Sequence, residues 1–430
     1  MDVKKRSIWA WALYDWANSA YATTVMAGFF PIFFKTYWAN ALSPNESTFY
    51  LGSANSSAAI IIALLAPFLG AVADRGTAKK RFLAITSFLG ICMTLGLWLV
   101  AEGRWELAII FYFLSSIGWT GANIFYDALI TGVSTKKNVD YVSSLGFALG
   151  YIGGGLLFLL NVLMYLKYDL FGIPDPATAI KISFLTVAIW WAIFSIPLFV
   201  FVNEPKIYQP TGIKNSVKLG WKQLVNTLRD IGKYKIVALF LLAYWLYIDG
   251  VDTIIRMAVD YGKSLNFTTS TLITALLMVQ FIAFPAALAY AKISEKIGTK
   301  RAIISGILGY TVITVLGYLM QKEWQFYFLA GMVGLFQGGI QALSRSLFSR
   351  IIPHDKSAEF FGFYNMLGKF AAVIGPFLMG SVTLMFGNPR IGILSILILF
   401  VSGLAILLKV DVQEGERLAF QATNKTESIG

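Results

Sequence analysis

Long apolar stretches separated by short polar loops recur twelve times along this chain of 430 residues. About 20 apolar residues are enough for a helix to cross some 30 Å of hydrocarbon. The pattern predicts an all-α integral membrane protein with spans 1 to 12 at residues 8–38, 48–73, 82–101, 105–131, 141–166, 178–203, 236–262, 270–291, 301–321, 324–349, 358–386 and 390–409. The strands of a membrane barrel would be about half as long and would alternate in polarity, which these stretches do not.

The charged residues inside these stretches fall mostly on spans 1, 4, 7 and 10, which is every third span. On insertion scales, a charge near the middle of a membrane helix costs roughly 2.5–3.5 kcal/mol, so each one needs a partner or a water-filled cavity. We therefore expect the four spans to share a cavity. This arrangement is typical of a transporter.

Composition and charge agree with a membrane protein. Hydrophobic residues make up 57% of the chain and charged residues 13%, and the mean hydropathy is +0.67, so the solvent of this chain is mostly lipid. About 25 of the 35 Lys and Arg lie on the side that holds both termini. The positive-inside rule then predicts that both termini are cytoplasmic, in the cell membrane if the source is bacterial. The net charge of +12 is thus assigned to membrane topology and not to nucleic-acid binding.

One long polar interval, residues 204–235, divides the spans six and six. We expect two six-helix bundles, residues 1–203 and 236–409, followed by a largely disordered cytoplasmic tail at residues 410–430. Within the interval, apolar residues recur at helical spacing among basic ones, at Val217, Trp221, Leu224, Leu228 and Ile231. This pattern favours an amphipathic helix at the cytoplasmic membrane surface, and a solvated linker is the alternative.

Two loops at matching positions in the two halves share an acid, a base, a glycine and a basic cluster. They are Gly70-Ala-Val-Ala-Asp74-Arg75-Gly-Thr-Ala-Lys79-Lys80-Arg81 and Ala291-Lys-Ile-Ser-Glu295-Lys296-Ile-Gly298-Thr-Lys300-Arg301. An ion pair that forms in only one conformation would make each loop a gating latch; ordinary positive-inside loops are the alternative. Glu359, which begins span 11, is a further gating candidate, although an acid at a helix N-terminus is favourable on dipole grounds alone.

The first loop resembles the signature Gly-x-x-x-Asp-Arg/Lys-x-Gly-x-Arg/Lys-Arg/Lys of the major facilitator superfamily. It departs from that signature because Gly76 follows Arg75 directly, and the second loop has Ala291 and Glu295 where the signature has Gly and Asp. The resemblance covers nearly the whole chain. It implies the major facilitator fold, with two six-helix bundles, substrate held between them near the midplane, and a cavity lined by spans 1, 4, 7 and 10.

A narrower resemblance rests on segments of five spans. They are Trp11-Ala-Leu-Tyr14-Asp15-Trp16-Ala-Asn18-Ser19-Ala-Tyr21, Ala122-Asn123-Ile-Phe-Tyr126-Asp127-Ala, Tyr247-Ile-Asp249-Gly250-Val, Gly338-Gly-Ile-Gln341-Ala-Leu-Ser344-Arg345-Ser and Glu359-Phe-Phe-Gly-Phe-Tyr364. Together they resemble the vacuole-effluxer-like branch, which is related to autophagy-associated vacuolar amino-acid effluxers and has many bacterial members. The resemblance implies export or release of small solutes such as neutral amino acids.

Span 7 carries the richest polar constellation predicted inside the membrane. Asp249, Asp252 and Arg256 are spaced at i, i+3 and i+7, so they project from one helical face and Asp252 can reach Arg256. One carboxylate would then be neutralised by Arg256 while the other takes up a proton or a substrate amine. A closed ion-pair cluster that holds span 7 against its neighbours is the alternative.

The other cavity candidates come from spans 1, 4, 10 and 11. They are Tyr14, Asp15, Asn18, Asn123, Asp127, Gln337, Gln341, Arg345 and Lys369. The aromatic and acidic surface around Asp15 suits a cationic or zwitterionic ligand, unless Asp15 pairs with a base on an adjoining helix. Asp127 and Arg345 occupy equivalent positions in the two halves with opposite charge. They are expected to pair across the cavity floor when the cavity faces outward, and two separate contacts are the alternative.

Lys369 lies too deep in span 11 to reach the surface easily, so it needs an acidic partner. Span 5 carries Gly146, Gly150 and a run of three glycines, a spacing that predicts close helix packing. It resembles the fifth-helix signature of superfamily antiporters, except that Tyr151 replaces the proline.

Other classes of protein find little support in the sequence. The only histidine, His354, lies in a short loop, the only cysteine is Cys92, and no cofactor or metal is expected. The sequence therefore predicts a monomeric secondary transporter and not an enzyme, with a small polar or zwitterionic substrate, H⁺ as the coupling ion and lipid as its surroundings. A channel, a lipid scramblase and a facilitated uniporter without ion coupling are the alternatives.

Overall fold

The computed structural model describes residues 3–42, 44–76, 78–204, 213–229, 231–265 and 267–427, and in these residues the regular secondary structure is entirely helical. All twelve predicted spans are confirmed as helices. Span 1 is Val3–Ala20 extended by Tyr21–Phe29, Phe30–Phe33 and Phe34–Trp38, of which the first and third extensions have the wider turn of a π-helix. Spans 2 to 6 are Pro44–Gly76, Lys79–Leu99, Trp105–Val133, Val139–Leu166 and Pro176–Phe201.

The second half repeats this arrangement after a connecting helix. The connecting helix is Ile213–Arg229, and spans 7 to 11 are Lys235–Ser264, Thr269–Ile297, Thr299–Leu319, Glu323–Ile351 and Ser357–Phe386. Span 12 consists of Pro389–Ser395 and Leu397–Leu408, and a last helix, Val412–Glu427, follows it. Among the described residues, nine helices are long and apolar enough to cross a membrane by length and composition.

Short loops make successive spans alternate in direction, so both ends of the chain lie at one end of the molecule. We call this end the terminal face and the other the opposite face. The boundary between spans 3 and 4 shows how little chain a reversal needs, because only residues 100–104 separate Leu99 from Trp105. Gly103 makes this turn with a φ of 75°, a left-handed conformation that glycine adopts without steric cost.

The outer surface of the spans is apolar. Phe88, Phe377 and Leu384 expose 70%, 75% and 86% of their surface, and many other large aliphatic side chains also face outward. A water-soluble protein rarely exposes contiguous apolar surface of this extent. Hydrocarbon is the solvent that accommodates it, so the fold is that of a multi-pass integral membrane protein.

The connecting helix Ile213–Arg229 packs against the protein with a different face from the predicted apolar stripe. Small and polar residues on its buried face, Ser216, Gly220, Gln223 and Thr227, accompany the buried Leu224, whereas Val217 and Trp221 are exposed. Gly220 permits this packing, since a Cβ there would lie 2.8 Å from the backbone of Val72. The helix therefore lies against span 2 and turns part of its apolar stripe away from the protein.

The tail was expected to be largely disordered, and this prediction is wrong for residues 412–427. The helix Val412–Glu427 packs on the end of span 10 through Gly415 and Ala419, which are buried and one turn apart. A Cβ on Gly415 would lie 2.9 Å from the side chain of Ile351. The polar composition of the tail concealed this small-residue face, which lets the helix approach span 10 closely.

Candidate functional site

A buried arginine joins the two halves of the molecule near the terminal face. Arg345, on span 10, is 2% exposed. Its Nη1 donates to Asp127 Oδ1 on span 4 at 3.0 Å, and both Nη1 and Nη2 lie 3.4 Å from Asp15 Oδ2 on span 1. Its Nε donates to Ser143 Oγ on span 5, and Nη2 donates to the Ser143 carbonyl, both at 2.9 Å. One guanidinium from the second half therefore holds three spans of the first half.

Aromatic rings enclose this cluster. The guanidinium carbon of Arg345 lies 4.3 Å from the ring centroid of Phe147 and 4.9 Å from that of Trp11, distances at which a cation is attracted to a π face. Tyr126 stacks on Trp11 with ring centroids 4.5 Å apart and donates its hydroxyl to Asp15 Oδ2 at 2.9 Å. The rings exclude water around the ion pairs, which strengthens them and makes loss of one partner costly.

The charges in this cluster do not balance. Two carboxylates contact one guanidinium, so Asp15, Asp127 and Arg345 together carry a formal charge of −1. The additional partner of Asp127 is neutral, because Asn365 of span 11 donates its Nδ2 to Asp127 Oδ2 at 3.1 Å. Since a buried uncompensated charge is unfavourable, the cluster is suited to take up a proton or a cationic group.

The first predicted latch loop forms a buried contact across the two halves. Asp74 pairs with Lys79 at 3.0 Å and accepts hydrogen bonds from the backbone N–H groups of Ala358 and Glu359 at 3.1 and 2.9 Å. Lys79 Nζ also donates to Ser357 Oγ at 2.8 Å. Asp74 thus provides an acceptor for backbone N–H groups at the N-terminus of span 11, where the helix dipole favours an anion.

Glycines bring spans 2 and 11 together at this latch. A Cβ on Gly70 would lie 2.2 Å from the carbonyl oxygen of Ala358, and one on Gly362 would lie 2.6 Å from the carbonyl oxygen of Ala66. Glu359 is fully buried and accepts from Gln223 Nε2 of the connecting helix at 2.6 Å. Of the other basic residues of the loop, Arg75 is half-buried at the helix end and Arg81 is exposed.

The second latch has a different acid from the one expected. Glu295, Lys296, Gly298 and Arg301 are exposed. The buried acid is Asp140, at the start of span 5, which accepts from Ser294 Oγ at 3.0 Å, from Thr299 Oγ1 at 2.7 Å and from Ser346 Oγ. Arg350 Nη2 pairs with it at 3.0 Å. This set of contacts ties span 5 of the first half to spans 8, 9 and 10 of the second.

Sequence reasoning missed Asp140 and its partners for a physical reason. An acid at the start of a helix is favourable without any long-range partner, so Asp140 carried no distinctive signal. The three hydroxyl groups that donate to it lie between 154 and 206 residues away in the chain. The only available clue was that Asp140 follows the basic pair Lys136-Lys137 at the terminal end of a span.

The span 7 carboxylates lie in two different environments. Asp249 is 1% exposed, and its Oδ1 accepts from the N–H of Gly375 at 3.0 Å and from Thr253 Oγ1 at 3.4 Å. Its Oδ2 is buried without a hydrogen-bond partner among the described residues. Asp252 is half-buried and Arg256 is exposed. The side chain of Lys369 lies outside the part of the chain that the structure describes.

The neutral candidates form cross-helix hydrogen bonds around the cluster. Asn18 Nδ2 donates to Asn123 Oδ1 at 2.6 Å, and Tyr14 hydrogen-bonds to Ser87 at 2.7 Å. Tyr151 donates to Gln341 Oε1 at 2.6 Å across the two halves. The side-chain oxygen of Gln337 is buried and has no hydrogen-bond partner among the described residues.

Among the residues that the structure describes, the hydrogen bonds and ion pairs that join the halves all lie on one side of the molecule. They run from the latches at Asp74 and Asp140, through Arg345, to Tyr151 and Gln341. Large-scale rocking of the halves requires these contacts to break. The structure is therefore closed at its terminal face.

Solved structures confirm the fold that this architecture defines. The chain shares its fold with the human organic anion transporter MFSD10 (TETRAN), with a TM-score of 0.77, 12% identity, and coverage of 94% of this chain and 99% of that one. The proton:xylose symporter XylE gives a TM-score of 0.70 at 15% identity, covering 95% of each chain. The protein thus has the major facilitator superfamily fold.

The family follows from the sequence comparisons. The profile described as "Vacuole effluxer Atg22 like" matches residues 45–138 and 132–419, so the chain belongs to that family. It is 39% identical over 403 residues to the uncharacterized MFS-type transporter YxiO of Bacillus subtilis, with 93% of each chain covered. Autophagy-related protein 22 of Yarrowia lipolytica is 26% identical over 68% of this chain, which spans about half (54%) of that fungal relative. Both predicted resemblances are confirmed.

Proposed function

We propose that the protein is a proton-coupled efflux transporter for small zwitterionic solutes of the size and chemistry of neutral amino acids, working by alternating access. The observation that carries this proposal is the sharing of Arg345 by Asp15 and Asp127 across the two halves. The excess carboxylate gives the closed terminal face a group that a proton neutralises. Protonation of either carboxylate removes one anionic partner of Arg345 and weakens the contact between the halves.

The exposure of the charged groups favours a ligand with an ammonium group. The side chains of Asp15 and Asp127 are 12% and 10% exposed, whereas that of Arg345 is 3% exposed. A ligand therefore meets the carboxylates before it meets the guanidinium. Its own carboxylate would pair with Arg345 once the contact between the halves loosens, so both ends of a zwitterion have a partner.

This geometry also bears on the direction of coupling. A proton and a substrate ammonium would compete for the same carboxylates, so the site favours exchanging one for the other. Exchange of an entering proton for a leaving solute is efflux, in agreement with the family description. The neutral groups of Asn18, Asn123 and Gln341 would hydrogen-bond to the polar parts of the solute without altering this charge competition.

We propose that the terminal face is cytoplasmic, in the cell membrane of a bacterium, and that the protein acts as a monomer. The excess of Lys and Arg at this face supports the orientation. The structure would then be in an outward-facing state. A bacterial homologue of the iron transporter ferroportin, solved in an outward-facing state, shares the fold with a TM-score of 0.67 at 12% identity.

The proposal can be tested with purified protein in liposomes. Thermal stabilisation across a library of amino acids and other metabolites identifies ligands, and solute-loaded liposomes then report efflux when the outside is made acidic. We expect at least one neutral amino acid to stabilise the protein and its efflux to be abolished by a protonophore. Efflux unaffected by the protonophore would contradict proton coupling, and flux at channel rates without exchange would favour a channel or scramblase.

A further inference from the structure

A cleft of about 920 Å³ opens at the terminal face, separate from the Arg345 cluster. We call it the terminal cleft. One wall is the start of span 5 with the preceding loop, from the first half of the molecule. The other wall comes from the second half: the loop between spans 8 and 9, Arg350 at the end of span 10, and the chain after Leu408. A ligand in the cleft would therefore touch both halves.

The cleft is lined mainly by bases. The basic residues are Lys136, Lys137, Lys300, Arg301, Arg350 and Lys409, and the acidic ones are Asp140, Glu295 and Asp411. Six bases and three acids give the lining a formal charge of +3. Asp140 is already paired with Arg350 at 3.0 Å, which leaves five bases against two acids in the rest of the lining.

Several of these bases are available to a ligand. Lys137, Arg301 and Lys409 are exposed and form no ion pair with a described residue. Arg350 lines the cleft and is held by Asp140 and, at 3.8 Å, by Glu416. Exposed ammonium and guanidinium groups that converge on one cleft are suited to recognise a phosphate group.

The equivalent region of the first half shows that such a cleft is not a necessary result of the fold. There the basic side chains of the loop after span 2 are bonded by other groups of the protein. Lys79 pairs with Asp74, and Lys80 Nζ donates to the carbonyl oxygens of Phe199 and Val202 at 2.8 and 2.6 Å. The connecting helix packs beside that loop through Gly220. In the second half Lys300 makes the matching contacts, donating to the carbonyl oxygens of Leu408 and Val410 at 2.9 and 2.8 Å, but the space beside the loop stays open as the terminal cleft.

We infer that the terminal cleft binds a phosphate-bearing anion that bridges the two halves and favours the closed terminal face. The anion is bound by Lys136 and Lys137 on one side and by Arg301, Arg350 and Lys409 on the other. Bases from both halves lie near each other only when this face is closed, so the anion stabilises that conformation. This inference concerns regulation and holds whatever solute is transported.

Binding can be measured by the thermal stability of the purified full-length protein in detergent. The probes are dioctanoyl phosphatidylglycerol, as a lipid headgroup, and inorganic phosphate, as a free anion, each compared with KCl at equal ionic strength. We expect a saturable rise in melting temperature with at least one probe beyond the KCl response. Stabilisation by the lipid alone assigns the site to a headgroup, and stabilisation by phosphate alone assigns it to a soluble anion. No rise beyond KCl with either probe would overturn the inference.

Variants locate the site. Lys137→Gln with Arg301→Gln removes one exposed base from each wall, and we expect the half-saturating concentration of the probe to rise at least tenfold. Lys5→Gln with Lys292→Gln removes two exposed bases from the same face outside the cleft and serves as the matched control. If binding of the probe weakened equally in both variants, the effect would come from general surface charge, which would contradict a site in the cleft.

The effect on conformation needs its own readout. Ser144, on span 5, is fully buried and lies one turn from Asp140 and two turns from Tyr151, both of which contact the second half. In a Cys92→Ser background, we expect a cysteine introduced by Ser144→Cys to react with a maleimide more slowly when the probe is bound. An unchanged or faster reaction would contradict stabilisation of the closed face.

Discussion

Gly146 lies directly against the contact between Asp15 and Arg345. A Cβ at this position would be 2.8 Å from Asp15 Oδ2 and 2.9 Å from Arg345 Nη2. The absence of a side chain on span 5 is therefore what allows spans 1 and 10 to meet. The glycines of span 5 were predicted to permit close helix packing, and here the same feature makes room for an ion pair.

Gly146→Ala is expected to reduce transport at least tenfold while the protein still folds. The added methyl would push Arg345 away from Asp15, and overpacking of this kind costs about 1–3 kcal/mol. Solute efflux from liposomes and the melting temperature measure the two effects. Gly380→Ala is the matched control, since a Cβ there would meet nothing within 4 Å. Normal transport by Gly146→Ala would show that the Asp15 contact is dispensable.

Asp127→Asn is expected to separate exchange of solute from proton coupling. The substitution leaves Asp15 and Arg345 as a neutral pair, so the cluster no longer has an excess carboxylate to protonate. Exchange of labelled for unlabelled solute should persist, whereas efflux driven by a pH gradient should fall to the level of empty liposomes. Asp169→Asn, at an exposed position between spans 5 and 6, should leave both activities unchanged. Full pH-driven efflux by Asp127→Asn would contradict the proposed role.

Asp249 can be tested with two substitutions that separate a structural role from a role in transport. Asp249→Asn keeps an oxygen to accept the N–H of Gly375, so it should fold normally but transport at least tenfold less. Asp249→Ala leaves that buried N–H without a partner and should also lower stability, by about 1–3 kcal/mol. Normal transport by the Asn variant combined with an unstable Ala variant would assign Asp249 a structural role alone. Asp252→Asn is expected to reduce transport as well.

The sequence contained enough information to predict the spans and the principal ion pair, because lipid imposes strong rules on a chain. A charge inside a span must find a partner, and the opposite signs of Asp127 and Arg345 at equivalent positions indicated which two would meet. The structure also brings Asp15 to Arg345, a convergence that the residues of span 1 alone did not determine. The contact between Asp15 and Arg345 depends on Gly146 of span 5, which leaves room for it, and on Tyr126 of span 4, which donates to Asp15.

Helical periodicity could not predict which acid forms the second latch. Ser294 and Glu295 are adjacent, and a rotation of span 8 by one residue would exchange which of them faces the protein. In the structure Ser294 faces inward and Glu295 is exposed, so the buried acid has to come from another span. That choice depends on tertiary packing around Asp140 and is not encoded in the loop motif itself.

Asp74→Asn should open the terminal face more than any substitution of the exposed Glu295. Asp74 neutralises Lys79 and accepts two backbone N–H groups of span 11, and breaking such a buried pair costs roughly 3–5 kcal/mol. The ion pair itself lies within the first half, but the hydrogen bonds of Asp74 to span 11 and of Lys79 to Ser357 join the two halves. Weakening them shifts the population toward the open conformation. In the Cys92→Ser, Ser144→Cys background, maleimide labelling should accelerate at least tenfold with Asp74→Asn and remain unchanged with Glu295→Gln. Equal labelling rates in the two variants would mean that the Asp74 contact does not hold the face closed.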